Sequence, residues 1–138
     1  MTIIWNPREI WFEDWVSIPR IFSGRFRVIR SKDWVLHTGV YGPHILGERR
    51  VFLQNLAKMR SIYPGNLWVV GGDFSMITSL AEKMVGMRRT DIDMELLGDT
   101  IAEQCLVDIP TINGVHIWNN RRGGNHQIAS RLDRFLIS

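Results

Sequence analysis

Leu67-Trp68-Val69-Val70-Gly71-Gly72-Asp73-Phe74-Ser75 is a short apolar run that ends in two glycines and a carboxylate. A four-residue apolar block closed by glycines reads as a buried strand. The two glycines let the backbone turn sharply and let a ligand approach closely. Asp73 therefore stands at the mouth of a sheet. A carboxylate there can hold an oxygen-ligated cation or activate a water. It can equally cap the next turn through its own side chain, which on this segment alone is the commoner use.

The elements on either side fit a layered fold. Upstream, Gly47 to Tyr63 carries Phe52, Leu56, Met59 and Tyr63 at spacings of four, three and four, which lines one face of a helix. Pro64-Gly65 stops it. Earlier still, residues 3 to 41 read as strands: Ile3-Ile4-Trp5, Ile10 to Ile18, Arg25 to Ile29, and Trp34 to Tyr41, with Gly42-Pro43 as punctuation. Downstream, a second helix is expected from about Asp91 to Cys105, capped by Thr90 or Asp91. Its buried side would hold Met94, Leu97, Ile101 and Cys105, which makes Cys105 a core thiol. Two short strands follow, near Val115 to Trp118 and Gln127 to Leu136, around a Gly-rich basic loop. Strands first, then helices and strands mixed, predict an α+β or layered α/β sandwich.

Composition bounds the possibilities. The chain has 138 residues, 45% hydrophobic and 22% charged, an ordinary globular balance for one domain. No apolar stretch approaches the ~20 residues that a spanning helix needs. Arg8, Glu9, Glu13 and Asp14 interrupt the N-terminus before a secretory apolar region can form. A single cysteine, Cys105, excludes an internal disulfide framework and a thiolate zinc cluster, and fits a reducing compartment.

Net charge is only +3, but its layout is uneven. Ser17 to Arg60 holds nine basic residues and two acidic ones, whereas Thr90 to Pro110 holds six acidic residues and no basic ones. Nearly all the positive charge is arginine, whose planar fork suits phosphate. Arg25 and Arg27, interleaved with Phe22, Phe26 and Trp34, are candidates to track a nucleic-acid backbone. A solvated strand face is the blander reading of the same pattern.

Two further segments carry chemistry. Val40-Tyr41-Gly42-Pro43 sets a tyrosine at a strand end, where it is either a packed ring or a hydrogen-bond donor to a phosphate oxygen. Ser130-Arg131-Leu132-Asp133-Arg134-Phe135 lies in the late strand. Alternation there puts Arg131, Asp133 and Phe135 on one face. Asp133 then either pairs with Arg131 or orients a histidine.

Taken in order, Val-Tyr-Gly-Pro, the amphipathic helix, Gly-Gly-Asp-Phe-Ser, Ile-Trp-Asn-Asn (residues 117–120) and Ser-Arg-Leu-Asp-Arg-Phe-Leu resemble the endonuclease/exonuclease/phosphatase superfamily. More narrowly they resemble the endonuclease domain of LINE-type non-LTR retrotransposons. The resemblance runs from about Ile3 to Ser138. It implies a four-layer αββα sandwich, Mg²⁺-dependent hydrolysis of phosphodiesters, DNA as partner and a nuclear setting. It implies that Tyr41 contacts the scissile phosphate and that Asp73 positions or deprotonates the attacking water. Ser75 would stand where the family usually has asparagine, and Asp133 would orient the catalytic histidine. Nucleic-acid contacts would come from Arg25, Arg27, Arg121, Arg122 and Arg131.

The departures are as informative. The family's asparagine and metal-binding glutamate, on its first strands, have no counterpart here, nor does its Ser-Asp-His segment. None of His37, His44, His116 or His126 lies in such a context or at metal-ligand spacing. The chain is thus expected to be one domain, 1–138, truncated at both ends: a partial sandwich with an exposed sheet edge available for self-association. No residue is assigned to metal, and Mg²⁺ binding is expected to be weak. The expected function is an impaired Mg²⁺-dependent DNA endonuclease. The alternative is a non-catalytic remnant that binds nucleic acid or has no selected function.

Overall fold

A computed structural model describes residues 1–84, 92–112, 118–119 and 129–138. Three strands come first: β1 (Ile10–Ile18), β2 (Ile21–Val28) and β3 (Trp34–Tyr41). Helix α1 (Leu46–Ile62) then leads to β4 (Leu67–Asp73), and a single 3-10 turn (Leu80–Glu82) to the short β5 (Lys83–Met84). Helix α2 (Ile92–Glu103) and β6 (Val107–Asp108) follow. The chain ends with β7 (Trp118–Asn119), β8 (Ala129–Ser130) and β9 (Asp133–Ile137). The described strands form a six-stranded sheet in the order β1-β2-β3-β4-β9-β6 and a three-stranded sheet in the order β5-β8-β7.

This is the mixed α/β architecture expected. β1, β2 and β3 form an antiparallel meander, β3 and β4 run parallel through the α1 crossover, and β9 returns antiparallel against β4. Residues sharing a sheet face with Leu36 and Val40 pack against the helices. Trp68, Val70 and Leu136 meet Phe52, Leu53, Leu56 and Met59 of α1 and Leu97 of α2 in one buried cluster. Burying each such side chain is worth about 1.5–3 kcal/mol. Three polar side chains inside this layer bond one another. The Trp68 indole donates to Thr38 Oγ1 at 2.9 Å, and Thr38 shares a 2.8 Å hydrogen bond with Ser23. On the opposite face Trp5, Phe12 and Phe26 pack ring against ring, and Trp15 stacks on Phe22.

Three expectations are corrected. Ile3-Ile4-Trp5 is not a strand, and Ile4 is exposed. The Asn6 carbonyl accepts from both Glu9 and Ile10, a turn that lays the preceding segment across the sheet face, with Trp5 on Phe12 and Phe26 and Met1 against Gly39, instead of along its edge as a strand. The late strand is not continuous: it breaks at Arg131–Leu132, so β8 belongs to the small sheet and β9 to the large one. Cys105 is exposed rather than buried, with φ +53°. Helix α2 ends two residues early, with Cys105 N–H donating to the Ala102 carbonyl and Leu106 N–H to the Ile101 carbonyl. That paired closure needs a left-handed residue, and Leu106 takes the buried place instead. Of the expected Val115–Trp118 strand, only Trp118 falls within the described residues, in β7.

Candidate active site

Strand register assembles the site. The parallel β3–β4 pairing sets Tyr41 beside Asp73, and the antiparallel β4–β9 pairing sets Asp73 beside Asp133. Three candidates from separate segments thus end three adjacent strands. Two glycines make the approach possible. Gly42 donates its N–H to the Asp73 carbonyl at 2.6 Å, and a Cβ on Gly42 would overlap the Phe74 carbonyl oxygen. Gly72 has φ +139°, where a Cβ would overlap the Val40 carbonyl. Only glycine serves at either position.

Asp73 does cap the following turn. Its Oδ1 accepts from the Ser75 amide at 2.6 Å and from the Ser75 hydroxyl at 3.2 Å. Ser75 itself is buried, with φ +53°. Tyr41 is exposed at the rim, and its hydroxyl lies 3.2 Å from His44 Nε2. His44 Nδ1 lies 3.4 Å from Ser75 Oγ. Burial, and then the charge of neighbouring Asp73, hold the Asp133 carboxyl above the usual aspartate range.

Two groups here escape sequence reading. His44 sits three residues after Tyr41, and only the Gly42-Pro43 turn folds it back onto the tyrosine. Arg49, on α1, bonds the carbonyls of Pro43 at 3.3 Å and Ser75 at 2.9 Å and the Asp93 carboxylate at 2.9 Å. It ties the β3–α1 turn to the turn after β4. Beside it a cleft of about 210 Å³ is lined by Arg49, Ser75, Asp93, Met94, Ser130 and Leu132 among others.

Behind Asp133 lies a buried ionic cluster that the sequence did not announce. Arg134 is almost wholly buried and binds Glu82 through both terminal nitrogens, and Asp108 at 2.5 Å. Arg131 joins it through Glu82 at 3.4 Å and Asp108 at 2.7 Å. The guanidinium of Arg131 thus faces these acids and not Asp133, so the Arg131–Asp133 pairing that the sequence allowed is not made. Arg25 is similarly engaged: it lies 3.4 Å from Asp14 and 3.8 Å from Glu13, and over the rings of Trp34 and Tyr63. Arg27 also lies over Trp34 and is exposed. Arg121 and Arg122 lie outside the described residues.

The donor set does not suit a resident Mg²⁺. Asp73 Oδ1 is turned inward onto Ser75, and no group of three or more His, Cys, Asp or Glu side chains able to hold a metal occurs among the described residues. A hard cation takes six or more oxygen ligands, and two carboxylates supply few of them.

No family model matches the chain, and no curated protein matches it. Solved structures do. The endonuclease domain of TRAS1, a telomere-specific non-LTR retrotransposon, superposes with a TM-score of 0.68 at 16% identity, covering 91% of this chain and 55% of that one. The human Nocturnin catalytic domain with bound sulfate gives 0.60 at 13% identity, covering 95% and 49%. Danio rerio (D. rerio) TDP2 complexed with single-strand DNA product gives 0.57 at 9% identity, covering 95% and 54%. The chain has the endonuclease/exonuclease/phosphatase fold, the one shared with a LINE-type retrotransposon endonuclease domain. It spans about half the length of the solved structures it matches.

Proposed function

We propose that this chain binds the phosphodiester backbone of DNA at the ends of β3, β4 and β9 and, by itself, hydrolyses it poorly. The observation that carries this reading is the register that brings Tyr41, Asp73 and Asp133 to one rim. Tyr41 offers a hydroxyl to a phosphate oxygen. Asp73, held by Ser75, faces a water on the attacking side. Asp133 shares the negative charge of the pair and binds a proton more readily than an ordinary aspartate. Arg27 and Arg25 lie over Trp34 at the opposite end of β2 and β3 from Tyr41, a basic aromatic patch separate from the rim.

Poor turnover follows from the same geometry. The Ser75 hydroxyl is spent on Asp73, so it offers no donor to charge developing on phosphorus. A missing general acid–base group costs about 10²–10⁴ in rate. The test is nicking of supercoiled plasmid by the purified chain with Mg²⁺, with EDTA, and with Asp73→Ala. The expected result is background nicking beside salt-dependent DNA binding that Asp73→Ala retains. Metal-dependent nicking abolished by Asp73→Ala would overturn the impairment. Absence of DNA binding at low salt would overturn the DNA reading altogether.

A further inference from the structure

The hydrogen bonds around His44 run in one direction, and acceptor chemistry fixes it. A carboxylate only accepts, so the Ser75 hydroxyl donates to Asp73 Oδ1. Its single proton is then spent, and Ser75 Oγ accepts from His44 Nδ1, 3.4 Å away. A neutral ring protonated at Nδ1 has a bare Nε2. Tyr41, 3.2 Å from that nitrogen, therefore donates to it. The chain of donors is Tyr41 to His44 to Ser75 to Asp73. In this arrangement the Tyr41 proton points at His44 and not outward to a phosphate.

We propose that phosphodiester recognition at this site is coupled to proton uptake by His44, which turns the Tyr41 hydroxyl from its histidine partner to the phosphate. A proton taken from solvent at Nε2 reverses the last hydrogen bond. Nε2–H then donates to Tyr41 Oη, and the Tyr41 O–H is free to donate outward. The imidazolium also brings a positive charge to a rim that otherwise carries Asp73 and Asp133. The other charges around His44 are matched locally. On α1, Glu48 is paired with Arg20 at 3.3 Å and Arg49 with Asp93 of α2 at 2.9 Å. On β4 and β9 the facing groups are Asp73 and Asp133, with Tyr41 on β3. His44 is exposed, so replacing it leaves the core intact.

This inference rests on the phosphodiester reading above and names how that site is switched. Two measurements test it. Imidazole ¹⁵N correlation spectra of the free protein are expected to show the Nδ1–H tautomer of His44, which an unconstrained imidazole disfavours; the Nε2–H tautomer would overturn the proposal. Binding of a short oligothymidylate, whose phosphodiesters do not titrate, is then followed at fixed low salt between about pH 5.5 and 8. Wild-type affinity is expected to fall as pH rises across this interval, approaching tenfold per pH unit, as uptake of one proton on binding requires. In His44→Gln that His44-dependent component should be absent. Slopes from Asp133, His37 and the other histidines are common to both proteins, so a slope unchanged in His44→Gln overturns the coupling alone. No binding by either protein at any pH would instead fell the phosphodiester site, and the proposal with it.

Discussion

At the residue scale, the rim is set by two aspartates forced side by side. Asp133 titrates above its ordinary value because burial and Asp73 both penalise its charge. A carboxyl raised on folding weakens the fold as pH rises through that interval, since the unfolded chain ionises first. Asp133→Asn is therefore expected to raise the thermal midpoint at neutral pH and to leave it unchanged in strong acid; a lower midpoint at neutral pH would contradict this. Ser75 gives a second prediction. Its φ of +53° is one that asparagine tolerates far better than most residues. Ser75→Asn is expected to fold with equal or higher stability, measured by denaturant melts.

At the element scale, two joints carry unusual weight. The first is the end of α2, where Cys105 holds a left-handed conformation that costs a side-chain-bearing residue about 1–2 kcal/mol. Cys105→Gly is expected to stabilise the chain by about 1 kcal/mol in urea melts. The second is Glu82, which joins Arg134, Arg131 and the Thr78 amide. Burial alone would raise its pKa, but the Arg134 guanidinium and Thr78 outweigh burial and hold it below the ordinary value. A depressed carboxyl contributes stability that is complete above its unfolded pKa and is lost as pH falls through its folded pKa. Glu82→Ala leaves two buried guanidiniums facing Asp108 and is expected to cost about 3–5 kcal/mol at neutral pH. Calorimetry should show that penalty shrinking in acid. The periodic parts of the fold were legible in the sequence. Phe52, Leu56 and Met59 marked α1, and the alternation of Trp34 to Tyr41 marked β3. The fold followed from the family resemblance that the motif order carries, whereas the adjacency of Tyr41, Asp73 and Asp133 came from the strand register. Hidden from the sequence were contacts made between segments far apart in the chain. Glu82 meets Arg134 across 52 positions. Arg49 meets Ser75 across 26. The break at Arg131 follows from that clustering of acids, which local alternation cannot foresee. Cys105 had the right helical phase to be buried and was turned out by the closure of α2, a tertiary choice that lets Leu106 reach the core.

At the scale of the whole molecule, the two sheet faces differ. Helices cover one, while the other leaves Trp15, Phe135 and Ile137 open to solvent. β1 is a nine-residue strand at the sheet edge, with a bulge between Phe12 and Asp14 that twists it. Edges of this kind invite pairing with another chain. Sedimentation velocity is expected to show concentration-dependent association, and a monomer unchanged over a wide concentration range would contradict this. No helix among the described residues is long and apolar enough to cross a membrane. The position of β9 has a consequence of a different kind. The last strand in the chain is threaded between β4 and β6, and it delivers both Asp133 to the rim and Arg134 to the ionic cluster. A shortened protein ending at residue 128 should therefore be a vacant socket. A separate peptide of residues 129–138 carries the pairing pattern and the guanidiniums needed to plug it, and mixing the two parts is expected to restore the circular-dichroism spectrum of the whole chain.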